Sequence, residues 1–416
     1  PIWNIRQNLD PNLVFLIRQV LYFAKKVEVP CGEPEIHKAV SEFKQIDESL
    51  RVPTLRWDLD QLDLGPLQGL SFCDGYRSTP DLISHRDMCP RPLLRTLDLV
   101  TGQIFGSFPE LDQMDLLPRH GPGAVADARS GTDKYLFPTW PRKLDQFFHF
   151  ELFAQSREDM HLEFDSSHSL NEPPARLLAV PKTLKGPRLI ASEPVAHQYT
   201  QGALMRWIRK NLPIHLRSSI NFLDQVPSRE GALAASKDGK SATIDLSSAS
   251  DRLSCWVVER ALRRHPELLL ALHASRTRWL VNATGVGERF FLKLRKFAAQ
   301  GSAATFPVQS MVYASMAIAA LLYERGVRPT RKSILAASRQ VRVFGDDIIM
   351  PSHAVQSLVL LLTHCELKVN MAKSHIKGCF RESCGMDAYM GEVVSPVYIR
   401  QLELSDKASA LVSWID

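Results

Sequence analysis

Apolar and polar positions along the chain resolve into a sequence of helices, hairpins and strands. Residues 1–115 are mixed and broken by prolines, with helices predicted near 11–26 and 33–50. Arg119-His120-Gly121-Pro122-Gly123-Ala124 reads as a loop, because Gly and Pro there interrupt regular structure. Between 137 and 170 the aromatics Phe137, Trp140, Phe147, Phe148, Phe150 and Phe153 favour helical core packing over a base-stacking platform. Residues 176–194 hold two β-prone runs around a turn rich in Lys, Gly and Pro, a hairpin with a cationic tip. A long helix is predicted over 195–211, then strand, turn and helix over 242–264, and a weaker β region near 279–294. The loop at 300–307 leads into a helix to about 324. A two-strand hairpin follows at 340–350, a helix at 353–366, and a strand-rich end containing Phe380–Gly385 and Pro396–Arg400. The order predicts an α+β unit whose antiparallel sheet is covered by helices on one face.

The longest uncharged stretch, Phe297 to Tyr323, has the length of a bilayer span. Its first half contains Gln300, Gly301, Ser302, Thr305, Pro307, Gln309 and Ser310, so it reads as a functional loop followed by a buried helix, with no membrane association. No internal repeat or low-complexity tract interrupts the chain. The chain starts at Pro1, as a fragment would, and its first residues do not resemble a signal peptide.

Composition narrows the class. The 416 residues suffice for one large multi-lobed unit or two to three domains, and 45% hydrophobic with 23% charged residues fits a soluble globular protein. A formal net charge of +6 is compatible with a polyanionic partner and decides little by itself. Seven scattered cysteines without a Cys-x-x-Cys pair indicate neither a zinc ribbon nor a disulfide framework, and fit a reducing, cytosolic setting.

The chemistry lies in two acidic motifs about a hundred residues apart. Ala242-Thr243-Ile244-Asp245-Leu246 continues into Ser247-Ser248-Ala249-Ser250-Asp251-Arg252-Leu253; the second motif is Val343-Phe344-Gly345-Asp346-Asp347-Ile348-Ile349. In each, a β-prone run delivers Asp to a turn. Polymerases need that arrangement, because two Mg²⁺ ions about 3.5–4 Å apart stabilise the attacking and leaving oxygens of an in-line phosphoryl displacement. Mg²⁺ takes oxygen ligands and shares one or two carboxylates with substrate phosphates. Asp245 and Asp346 are the candidate bridging pair. Taken singly, Gly345-Asp346-Asp347 also fits a solvated hairpin turn, Asp245 a helix N-cap region, and the basic hairpin a sheet edge blunted by Lys.

The order and spacing of several further motifs weigh against those local readings. A basic hairpin (Lys182, Lys185, Arg188) is followed by DLSSASDRL, GSAATFPVQS, FGDD, a Lys-bearing loop and FRESCG…PVYIR. Over about 119–400 the chain resembles the catalytic subunit of RNA-dependent RNA polymerases of positive-strand RNA bacteriophages, the levivirus group, and their narnavirus-like relatives. The resemblance implies a right-hand fold: an N-terminal region with part of the fingers (1–115), fingers with the basic hairpin (116–194), a palm (195–378), and a palm–thumb junction with a truncated thumb (379–416). Only about 70 residues follow the Gly-Asp-Asp turn, fewer than family members have, and this puts the activity of the chain by itself in question.

The resemblance also implies roles. Asp245 and Asp346 are metal ligands, with Asp347 a weaker one, for two Mg²⁺ that Mn²⁺ can replace. Lys182, Lys185 and Arg188 grip the incoming NTP, where cations neutralise charge developing on the pyrophosphate. Asp251 reads the ribose 2′-OH, which marks RNA from DNA; its local alternative is a cap or an ion pair with Arg252. Gly301, Ser302 and Thr305 support the nascent pair. Many viral polymerases place Asn where this chain has Gln309. Lys373 is the general acid to pyrophosphate or a plain surface lysine. The Phe380–Gly385 turn positions the primer or nascent 3′ end, with Cys384 small and buried. The implied partners are the RNA template and nascent strand, NTPs, and host elongation factors Tu and Ts with a small-subunit ribosomal protein, in the cytoplasm of the infected host cell. Reverse transcription, or RNA binding on a polymerase-like scaffold without catalysis, are the competing readings. Phe344 and Asp251 favour ribonucleotides over the first, and retention of every carboxylate and hairpin cation disfavours the second.

Overall fold

The computed structural model describes residues 9–27, 30–55, 89–154, 172–183 and 186–399. The architecture is mixed α+β. Its core is organised by one helix, Thr305–Glu324, whose apolar window is 94% buried inside the protein. The length that would suit a membrane serves here to run through the middle of the molecule. Met311, Val312, Ile318, Leu321 and Leu322 are buried on it, each contributing about 1.5–3 kcal/mol of transfer free energy.

In chain order the longer helices are α1 (Pro11–Tyr22), α2 (Glu33–Ser49), α3 (Arg91–Phe105), α4 (Val195–Lys210), α5 (Val226–Asp238), α6 (Cys255–Ala261), α7 (Pro266–Ser275), α8 (Thr305–Glu324), α9 (Arg331–Ser338) and α10 (Val355–His364). The strands are β1 (Ala175–Thr183), β2 (Gly186–Ser192), β3 (Ser241–Ser247), β4 (Trp279–Asn282), β5 (Phe291–Lys293), β6 (Arg342–Phe344), β7 (Asp347–Pro351), β8 (Lys368–Val369), β9 (Phe380–Ser383), β10 (Met386–Tyr389) and β11 (Glu392–Val393).

The central sheet has the order β6-β7-β3-β8 and is antiparallel throughout. Alternation along β3 and β7 decides what covers it. Ala242, Ile244, Ile348 and Met350 belong to the main core with α8 and α10. Thr243 and Ile349 point the other way, where Glu382 N–H of β9 donates to Thr243 Oγ1 (3.3 Å) and α5 brings Gly231 against Ile349. Both faces are therefore covered, by α8 and α10 on one side and by α5 with the β9–β10 hairpin on the other. The expectation of helices on one face alone is corrected.

The basic hairpin β1–β2 forms as the β-prone runs predict, and it joins a second sheet of order β2-β1-β4-β5. There β1 runs parallel to β4, a pairing that no local pattern announces. The weak β region near 279–294 is thus real but belongs beside the hairpin. The aromatic stretch packs in the core, with Trp140, Phe147, Phe148 and Phe153 buried; only Phe153 of these lies in a helix, the single turn Phe150–Phe153, and the others sit in the turns around it and the single turn Arg142–Asp145. Residues 155–170 of that stretch lie outside the described residues. The helix expected after Asp245 is broken at Leu253, because Ser254 restarts it as an N-cap that accepts from Val257 N–H (3.3 Å).

Candidate active site

The central sheet delivers carboxylates to one place. Asp245, near the end of β3, pairs in register with Asp347, the first residue of β7, and period-2 alternation puts both on one face. Asp346 stands between them and β6 in the turn Gly345-Asp346. That turn needs glycine: Gly345 has φ +63°, and an added Cβ would lie 3.2 Å from Phe306 and from the Gln309 side chain. Its N–H donates to Ser310 Oγ (3.2 Å), so α8 fixes the turn from below.

The three carboxylates repel one another. Burial and then the Asp245 charge raise the pKa of Asp346 above its ordinary range. Burial pushes Asp347 up to about 7, against the hydrogen bond from Cys384 N–H to its Oδ2 (2.9 Å), and Asp346 and Asp245 push the same way as burial. Asp245 is held on several sides. Asn370 Nδ2 donates to its Oδ2 (2.7 Å), Lys373 Nζ to its Oδ1 (3.4 Å), and Ser374 Oγ accepts from its N–H (3.1 Å). Partial burial works against the charge on Lys373, but Asp245, Glu382 and Asp346 more than offset it and hold the ammonium above its ordinary range.

The cleft around these groups measures about 850 Å³. Lys182 and Arg188 reach it from the two strands of the basic hairpin. Lys182 is held below its ordinary range first by partial burial and then by Arg188 and Lys373, with Asp346 and Asp245 opposing. Lys185 lies outside the described residues. The loop before α8 is locked beneath β2: Gln300 O accepts from Ala191 N–H (2.7 Å), and Gly301, at φ +131°, lies so close that an added Cβ would sit 2.0 Å from Ala191 O. Ser302 and Thr305 line the cleft but are buried. The Ser302 Oγ accepts from Ala304 N–H (3.3 Å), and the Thr305 hydroxyl donates to Ala299 O (3.0 Å). Gln309 also lines the cleft, and its Oε1 is buried without a hydrogen-bond partner.

Asp251 lies at the edge of the same cleft, but its partner is not Arg252. Lys296, fully buried, donates to Asp251 Oδ1 (3.2 Å), and its ammonium lies 3.3 Å from the centre of the Phe43 ring. Arg252 instead turns to Glu366 O (3.5 Å). Cys384 is half-buried rather than buried, at φ +49° in the β9–β10 turn, and burial with the Asp347 charge pushes its thiol up to about 12, which keeps it protonated at neutral pH. Arg381, from the same FRESCG segment, is fully buried and donates to Ser241 O (2.6 Å) and Gly378 O (2.9 Å), fastening β9 to the start of β3.

Sequence reading missed several contributors. Asn370 and Ser374 sit beside the lysine that the motif search singled out, but a lone polar residue in a loop carries no periodic signal. Phe43 and Ile46 of α2 line the cleft from a segment with no recognisable chemistry. Asp47 of the same helix accepts from Lys296 N–H (3.0 Å). Among the described residues, no group of three or more His, Cys, Asp or Glu side chains forms a ready-made metal cage. The donor set still suits a hard cation: two carboxylates from adjacent strands and one from the turn between β6 and β7, two of the three pushed toward neutrality, with Lys373 alone among the described residues in direct ion pairing with Asp245.

Comparison with known proteins agrees with this geometry. The family model described as RNA replicase, beta-chain, matches residues 160–412. The RNA-directed RNA polymerase subunit beta of Qbeta virus (strain MX1) is 33% identical over 237 residues, 57% of this chain and 37% of that protein. The beta chain of Escherichia phage MS2 is 31% identical over 225 residues, 54% of this chain and 37% of that protein. Subunit beta of Escherichia virus Qbeta is 31% identical over 250 residues, 60% and 39% of the two chains. The matched region thus covers less than two fifths of these curated relatives' own length. Among solved structures, the BmCPV RNA-dependent RNA polymerase at elongation state covers 76% of this chain at 10% identity with a TM-score of 0.44, a likeness too slight to add to the assignment. Because the family match spans more than half of the 416 residues, the chain belongs to the RNA replicase beta-chain family.

Proposed function

We propose that the cleft performs template-directed RNA synthesis, in which a growing 3′-OH attacks the α-phosphate of an NTP and pyrophosphate leaves. The observation that carries this reading is the register pairing of Asp245 with Asp347, with Asp346 in the adjoining turn, in the cleft that Lys182 and Arg188 also line. Asp245 and Asp346, with Asp347 more weakly, would hold two Mg²⁺ or Mn²⁺, which when bound stabilise charge on the attacking and leaving oxygens. Lys182 and Arg188, with Lys185, bind the triphosphate and offset the charge that develops on pyrophosphate. Lys373, protonated at neutral pH and paired with Asp245 at 3.4 Å, would donate its proton to the leaving pyrophosphate. Asp251, oriented by Lys296, accepts from the ribose 2′-OH. Gly301 lets the loop before α8 lie under the hairpin and shape the floor for the nascent pair.

In this reading the central sheet with α5, α8 and α10 is the palm, the hairpin and its sheet belong to the fingers, and the β9–β10 turn positions the nascent 3′ end. The partners are an RNA template and NTPs in the host cytoplasm, with elongation factors Tu and Ts and a small-subunit ribosomal protein as host subunits. The direct test supplies the purified chain with a heteropolymeric RNA template, primer, four NTPs and Mg²⁺. Products complementary to the template support the reading; product independent of template sequence, or made equally from dNTPs, contradicts it.

A further inference from the structure

Between Arg325 and Gly345 the chain carries six basic residues and no acidic one, a charge of +6 that equals the formal net charge of the whole chain. Arg325, Arg328, Arg331, Lys332 and Arg339 are exposed; Arg342 is half-buried. Several other cations of the fold have carboxylate partners, as in Arg18–Asp387, Arg263–Asp98 and Arg278–Glu172. Among the described residues, none of these six forms an ion pair. Where they bond, they bond to neutral groups: Arg325 to Gln340 Oε1 (2.6 Å) and Arg342 to Ser218 O (3.1 Å).

The fold extends this face beyond α9. Ser218 and Ser219 are stapled to the end of α9, Ser218 Oγ to Ser338 Oγ (2.9 Å) and Ser219 Oγ to Ser338 O (2.7 Å), which sets the exposed Arg217 alongside. The same segment leads to the cleft: Ile220 bridges Val343 of β6 in parallel, and Gln225, five residues further on, lines the cavity. Strand β6 itself begins at Arg342 and ends at Phe344 on the cleft wall, about 7 Å of extended chain, and the turn that carries Asp346 follows directly.

Exposed arginines that lack acidic partners and follow a helix edge suit phosphate oxygens, which Arg meets with a planar, bidentate set of donors. We propose that α9 and the Arg217 segment form a docking surface for the phosphate backbone of an RNA strand outside the cleft, independent of base sequence. The proposal rests on the polymerase reading only for the choice of RNA as the polyanion. The surface holds template or product near the cleft mouth and adds affinity that the cleft alone does not supply.

The test compares the wild-type chain with an Arg328→Gln/Arg331→Gln/Lys332→Gln/Arg339→Gln variant, which keeps the Arg325 and Arg342 hydrogen bonds. Binding of a long labelled oligouridylate is measured over a range of KCl concentrations, and nucleotide addition is followed on a short primer–template duplex. Each single-strand phosphate contact contributes about 0.7 to the slope of log K against log salt, so the slope should fall by about 2–3 and affinity near 0.15 M salt by about tenfold or more. Addition on the short duplex should stay at the wild-type level. Unchanged affinity and slope would overturn the proposal, leaving a solvated face or a contact for protein. Equal losses on the short duplex would also overturn it, because the contacts would then lie in the cleft. If the fourfold variant fails to fold, Lys332→Gln/Arg339→Gln should give about half the slope change. Absence of nucleotide addition by the wild-type chain would strike the polymerase reading, while the oligouridylate measurement would still decide this one.

Discussion

Asn370 donates its side-chain amide to Asp245 Oδ2 at 2.7 Å, while its backbone N–H donates to Asp245 O at 2.8 Å. Two bonds from one residue fix both the strand end and the direction of its carboxylate. Groups that orient metal-binding side chains typically change metal affinity or activity by about 10–100-fold when removed. Asn370→Ala should therefore lower nucleotide incorporation by about that factor and raise the Mg²⁺ concentration giving half-maximal rate. Mn²⁺ binding followed by electron paramagnetic resonance should weaken in parallel. A wild-type Mg²⁺ dependence in folded Asn370→Ala would show that Asp245 needs no such support.

Asp251 already has a cation beside it in Lys296, yet it stays at the cleft edge where a sugar hydroxyl would approach. Its second oxygen can accept from a 2′-OH, and a hydrogen bond to a charged group contributes about 1.5–3 kcal/mol. Asp251→Ala should lower the rNTP over dNTP ratio of kcat/KM by about 10–100-fold, and because it leaves the buried Lys296 ammonium without its ion-pair partner it should lower thermal stability as well. An unchanged ratio would assign Asp251 to Lys296 alone.

Gly301→Ala tests the seat of the hairpin. A Cβ there would meet Ala191 O at 2.0 Å, and φ +131° is hostile to L side chains. The conformation alone should cost about 1–3 kcal/mol, and displacement of β2 should add to it. The denaturant midpoint should drop measurably; a wild-type midpoint would mean that the loop and β2 do not approach so closely.

The buried network around Glu172 predicts an acid response. Lys143 Nζ lies 3.1 Å and Arg278 Nε 2.7 Å from its carboxylate. Burial alone would raise the pKa of Glu172, but Lys143 and Arg278 overcome it and hold the group well below its ordinary value of 4.5. A depressed carboxylate contributes stability that is complete above its unfolded pKa and is lost as pH falls through its folded one. The stability difference between wild type and Glu172→Gln should therefore be largest at neutral pH and shrink below about 4.5. A difference constant from pH 7 to pH 3 would contradict that ion network.

Local pattern carried most of the element order and the central chemistry. The β-prone runs before Asp245 and Asp346 do become strands of one sheet, β3 and β6, with β7 between them, and the polar first half of the Phe297–Tyr323 stretch does mark a loop before a buried helix. Long-range placement was not legible. Lys296 looks like any lysine in sequence, and only the fold buries it between Phe43 and Asp251. The parallel pairing of β1 with β4 joins segments a hundred residues apart, with no turn to signal it. The local bond of Thr305 was not legible either: its hydroxyl donates to Ala299 O, six residues back. The break at Leu253 follows from Ser254, whose capping competes with helix continuation.

The central claim is that Asp245 and Asp346 together hold the ions that drive nucleotidyl transfer. The most direct measurement is Mg²⁺-dependent incorporation of rNMP on a primed RNA template by the wild-type, Asp245→Ala and Asp346→Ala chains, with thermal unfolding followed in parallel. Both variants should lose incorporation, while their melting temperatures stay equal to wild type or rise, because removing one of several crowded carboxylates relieves repulsion in the metal-free protein. Near wild-type incorporation by either folded variant would contradict the account.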